Sequence, residues 1–133
     1  MAETIADSEI SVVIQGPLLA GQAEGAARCV QSLQRVLPGA ELILSSWQGE
    51  DASAFAPPVR VVLSPDPGAF ATTERPYNLN RMLVSTQAGL KAATRRYCLK
   101  LRTDLALADR SFLVLAASRP GSLFERPLTM SNI

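Results

Sequence analysis

Apolar residues along this chain come in two rhythms. Solid blocks form the first: Ile10 with Val12, Val13 and Ile14; Leu42, Ile43 and Leu44; Val59 to Ser64; and Tyr97 to Leu101. Short blocks with little polar alternation predict inner strands. The first stops at Gln15-Gly16-Pro17, because proline has no N–H for a ladder. The second rhythm has intervals of three and four. From Gly21 to Gly39, the residues Ala23, Ala26, Ala27, Val30, Leu33 and Leu37 share one helical face, and Pro38-Gly39 ends the run. From Asn78 to Arg96, the residues Leu79, Met82, Leu83, Thr86, Leu90 and Ala93 keep the same interval. Asn78 is the expected N-cap, Arg95 and Arg96 suit the last turn, and Gly89 marks a place for close packing on a sheet. Ala69 to Pro76 has no period and reads as loop. Phe112 to Ala117 is too short to separate helix from strand.

The order β-α-β-β-α-β predicts an α/β fold: a three-layer α/β/α sandwich with a mostly parallel sheet, in one domain over residues 1–133. Ligands of such sheets bind beyond the C-terminal strand ends. Three polar clusters fall there: Gln15-Gly16-Pro17, Ser45-Ser46-Trp47 and Arg102-Thr103-Asp104.

Composition narrows the chemistry. The chain is 47% apolar and 19% charged, as a globular domain is. Thirteen Lys plus Arg against twelve Asp plus Glu leave a net charge of +1, so no broad nucleic-acid surface is expected. With no histidine, His-activated nucleophiles and His metal ligands are excluded. Cys29 and Cys98 have no zinc-like spacing and read as free, buried thiols. MAETIADSE is too acidic for a signal peptide, and no apolar run reaches a membrane span. A cytoplasmic location is expected, with peripheral association at a membrane-bound partner left open.

Each polar cluster has two readings. Gly16 after a strand lets backbone approach a phosphate, or it makes an ordinary turn. Neither GxGxxG nor GxxxxGK[ST] is present, which argues against a dinucleotide fingerprint or a P-loop. Asp104 is either a carboxylate for a divalent cation on a diphosphate or a cap or turn residue. Asp109, five residues on, reads as structural. Lys100 and Arg102 share one face of their strand, opposite Leu99 and Leu101, and Arg102 can pair with Asp104 or with a phosphate. Trp47 stacks on a base or packs in the core. Arg75 and Arg81 flank the start of the second helix and read as surface residues.

The blocks SVVIQGP, PGAELILSSW, SPDPG, NLNRMLVSTQAGLKAA and YCLKLRTD, in this order, resemble the WavE lipopolysaccharide synthesis family over about Ile10 to Leu105. That resemblance implies a GT-A-like glycosyltransferase domain. It would transfer a sugar from a nucleotide-sugar donor to a saccharide or lipopolysaccharide-core acceptor. It implies that Gln15, Gly16 and Pro17 lie under the nucleotide, that Ser46 and Trp47 sit near the base, and that Asp66 borders the nucleotide pocket. Arg102-Thr103-Asp104 would take the place of a DxD motif, with Asp104 beside a divalent cation, Mn2+ or Mg2+. Arg102 stands where the first Asp of that motif would be. GT-A enzymes carry further chain for the acceptor and the base. The domain is therefore expected to be incomplete, with Phe124 to Ile133 as the next strand and no general base named. The alternatives are a non-catalytic nucleotide-sugar-binding module or inactive fragment, and a plain α/β assembly domain.

Overall fold

The computed structural model describes residues 5–18, 23–68, 70–71, 76–77 and 79–113. A single 3-10 turn, Asp7–Glu9, leads into β1 (Ile10–Gln15). There follow α1 (Ala23–Val36), β2 (Glu41–Trp47), β3 (Arg60–Ser64), β4 (Phe70–Ala71), β5 (Pro76–Tyr77), α2 (Leu79–Ala92) and β6 (Tyr97–Arg102). Strands β3, β2, β1 and β6 lie side by side in that order, every pair parallel. The four strands and two helices predicted between Ile10 and Leu101 are all present.

Parallel strands need long crossovers: α1 lies between β1 and β2 and α2 between β3 and β6, on opposite faces, while residues 48–59 join β2 to β3 without a helix. On one face, Ala26, Cys29, Val30, Leu33 and Leu37 pack on Ile10, Val12, Ile14, Leu42 and Leu44. On the other, α2 packs against β1, β2 and β3. The result is the three-layer α/β/α arrangement expected from the sequence. Covered on both sides, β1 is buried at every position, which is why ISVVI shows no alternation.

The face α2 turns to the sheet is small and polar. Ser85 and Gly89 are its buried residues, and a Cβ on Gly89 would collide with Val13 Cγ1. The close approach expected at Gly89 is thus observed. Leu79, Met82, Leu83 and Leu90 keep the helical interval but remain exposed. α2 packs chiefly on β1, β2 and β3 and hardly reaches β6. The residues of β6 alternate, with Leu99 and Leu101 packed on the α1 side and Cys98, Lys100 and Arg102 exposed on the other.

Two expectations change. The stretch read as loop contains the antiparallel pair β4–β5, joining Phe70 to Tyr77 and Ala71 to Pro76. Two-residue strands are too short to show a period. Cys98 is exposed rather than buried, because no described helix covers that face of β6. After β6 the chain returns along α1: the Leu107 N–H donates to Ser32 Oγ at 2.9 Å, and Leu113 joins the α1-side core. The expectations for Arg75, the Asn78 cap, residues 114–117 and residues 124–133 lie outside the described residues.

Candidate functional site

The ends of β1 and β6 are level, and β2 runs two residues further, to Trp47. Gln15 is in register with Ser45 on one side and with Arg102 on the other. Strand order reverses at β1, with β2 on one side and β6, which follows later in the chain, on the other. Open parallel sheets bind ligands at such a reversal, at the C-terminal ends.

Hydrogen bonds join these strand ends. The Gly16 N–H donates to Ser45 O at 3.3 Å, and the Thr103 N–H donates to Gln15 O at 3.0 Å. Ser46 Oγ donates to Gly16 O at 2.8 Å. Gly16 sits at φ +142°, and a Cβ there would lie 2.6 Å from Thr103 Oγ1. Both the backbone conformation and the contact require glycine. Thr103 itself is buried, its hydroxyl 3.4 Å from Pro17 O. On the α1 side, a Cβ on Gly25 would come 3.3 Å from Thr103 O, so the first turn of α1 also meets the segment after β6.

The other expected site residues divide by what they touch. The Gln15 side chain turns under α2, where Ser85 Oγ lies 2.8 Å from its Oε1. Ser45 Oγ donates to Ser85 O at 2.7 Å. Trp47 is only 8% exposed, which places it in packing. Asp66 follows β3 and accepts two hydrogen bonds from Arg81, Nε to Oδ1 at 2.8 Å and Nη2 to Oδ2 at 2.9 Å. Arg81 and the Gly68 N–H hold the Asp66 carboxyl below the usual range. Arg102 and Asp104 form an ion pair at 2.8 Å, with side chains 66% and 60% exposed, so both charges reach solvent. The structure brings Gly16, Pro17, Thr103 and the Arg102–Asp104 pair together. Asp66 and Arg81 belong to the β3 end, and Gln15 and Ser46 serve as internal supports.

Three residues of this region escape sequence reasoning. Glu50 accepts the Leu18 N–H at 3.1 Å and fixes the loop after β1, but its partner is 32 residues away and leaves no local mark. Ser85 sits inside an amphipathic helix where an outward position is the default. Gly25 had a signal, a glycine inside a helical pattern.

Among the described residues, no group of three His, Cys, Asp or Glu could hold a metal ion. Enzymes of GT-A type often use a divalent cation. Among the described side chains, Asp104 is the one carboxylate at the end of β6, and its Oδ2 already receives Arg102. That donor set does not fit a resident divalent cation.

The family pattern described as WavE lipopolysaccharide synthesis matches residues 10–132. The chain belongs to that family. The WavE match extends past the sequence blocks noted above and takes in every strand and helix of the parallel sheet. It links the protein to lipopolysaccharide synthesis. Neither the curated proteins nor the solved structures gave a match. Among the described residues, no helix is long and apolar enough to cross a membrane.

Proposed function

We propose that this WavE-family protein is a glycosyltransferase. It binds a nucleotide-sugar donor at the C-terminal ends of β1 and β6, for transfer to a saccharide or lipopolysaccharide-core acceptor. The family match over residues 10–132 carries this reading. The parallel sheet supports it, because the strand-order reversal falls where Gly16, Arg102 and Asp104 meet.

In this reading Gly16 and Pro17 form the floor under the donor, and Gln15 and Ser46 hold that floor in place. Trp47 and Asp66 lie toward the β2 and β3 ends, on the nucleotide side. Transfer breaks the bond from the anomeric carbon to the diphosphate oxygen and forms one to an acceptor hydroxyl oxygen. The acceptor proton passes to a base, and the nucleoside diphosphate leaves with the electron pair. Since the described donor set does not fit a resident Mn2+ or Mg2+, no step is assigned to one. The test is incubation of the protein with nucleotide-sugars and a lipopolysaccharide-core extract, following release of nucleoside diphosphate. Acceptor-dependent release supports the reading, and no release with any donor contradicts it.

One observation favours a second reading, a nucleotide-sugar-binding module without catalysis. Each described carboxylate at the strand ends is engaged: Glu50 by the Leu18 N–H, Asp66 by Arg81, and Asp104 by Arg102. None is left as an evident base for the acceptor hydroxyl. Donor binding without acceptor-dependent release identifies this case.

A further inference from the structure

The exposed face of β6 carries two cations. Lys100 and Arg102 are two residues apart, on the same side of the strand and about 7 Å from one another. That side is the one α2 leaves uncovered. Lys100 makes no ion pair with any described residue, and the partner of Arg102 is Asp104, two positions on, in a pair open to solvent. A divalent cation at Asp104 would share the carboxylate with the guanidinium already on Oδ2. It would stand beside Arg102 with one carboxylate among the described side chains to offset its charge. A diphosphate instead brings its own negative charge to the two exposed cations and needs no carboxylate beside it. Its oxygens can accept from the Arg102 guanidinium, which now gives Asp104 a single hydrogen bond, and they carry more negative charge than one carboxylate.

Resting on the donor-binding reading above, we propose that the diphosphate is held without a metal ion. Arg102 and Lys100 supply the counter-charge, and Asp104 is the internal competitor that occupies Arg102 when no ligand is bound. Asp104 is then a positioning residue and not a metal ligand. The nucleotide draws Arg102 away from it.

Two substitutions separate this from metal-dependent binding, and both are at exposed positions where folding is not at stake. Binding of UDP, GDP, TDP and ADP to the whole chain would be measured by calorimetry, in EDTA and again with Mn2+. The expected result is binding of at least one nucleotide in EDTA. Arg102→Gln should weaken it about tenfold or more, the loss of one charge-assisted contact, and Asp104→Asn should leave it equal or tighter. Binding that appears only with Mn2+ and is lost in Asp104→Asn overturns the inference but leaves the donor-binding reading intact. Binding in EDTA that is indifferent to Arg102→Gln also overturns it. Absence of binding with and without Mn2+ overturns the donor-binding reading, and this inference with it.

Discussion

At the scale of single residues, Gly16 is the most constrained position near the site. Its φ of +142° and the 2.6 Å approach to Thr103 Oγ1 leave no room for a side chain. Gly16→Ala should cost about 1–3 kcal/mol in strain and displacement of Thr103. A chemical denaturation curve checks this. The two cysteines make a second test. Burial, and then the Asp104 charge, push the Cys29 thiol up to about 11, so it should resist alkylation at neutral pH while the fold is intact. Cys98 is exposed, though burial of part of its side chain, and then Glu41, raise its pKa too. Mass spectrometry after a timed iodoacetamide pulse should find Cys98 labelled first. Equal labelling would mean that α1 does not seal Cys29. These contrasts were not legible in the sequence. Both cysteines sit in apolar stretches, and only the absence of a described helix over the outer face of β6 separates them.

At the scale of elements, the strand blocks and helical intervals sufficed for the sheet and both crossovers, because each is a run long enough to show its period. The inward face of α2 was less legible. Leu79, Met82, Leu83 and Leu90 look like the inner stripe, yet Ser85 and Gly89 face the sheet. The reason is distance: Gly89 lets the helix approach Val13, and Ser85 supplies the polar contact that Ser45 and Gln15 need. Gly89→Ala should destabilise the fold by about 1–3 kcal/mol, the cost of overpacking, despite the better helix propensity of alanine. Thermal denaturation of that variant is the check. A gain in Tm would contradict the close contact.

A second joint between elements lies at the opposite, N-terminal end of the strands. Glu41 Oε1 accepts from Ser11 Oγ at 2.7 Å and from the Thr94 N–H at 2.9 Å, and Oε2 accepts from Thr94 Oγ1 at 2.7 Å. Burial pushes the Glu41 carboxyl up, but these donors and Arg95 outweigh it and hold the carboxyl below its ordinary value of 4.5. A carboxyl depressed in the folded state contributes stability that is complete above the unfolded value. That contribution is lost as pH falls through the folded one. Tm should therefore decline as pH drops below 4.5, and Glu41→Gln should flatten that decline. At neutral pH the same substitution should cost about 1–3 kcal/mol, because donors made for a carboxylate lose it.

At the scale of the whole molecule, a four-stranded parallel sheet between two helices places the segments that follow its strands at a common rim. The sequence was sufficient to put Gly16 and Asp104 on that rim, because strand direction follows from alternation of helix and strand. It was not sufficient to sort supports from contacts. Gln15, Ser46 and Trp47 all read as candidate ligand groups, and their hydrogen bonds and burial depend on partners far along the chain. The KLRTD stretch shows the same limit at its sharpest. Its pattern allowed a metal carboxylate or an Arg102–Asp104 pair, and the geometry shows the pair, with Lys100 exposed on the same side of the strand. The central claim is that a nucleotide-sugar donor occupies the ends of β1 and β6. Backbone amide shifts, followed by NMR during titration with nucleotide-sugars, test it most directly. The account predicts shifts concentrated at Gln15, Gly16 and Leu18 and at Lys100 to Asp104. Saturable shifts centred elsewhere, or none with any donor, would contradict it.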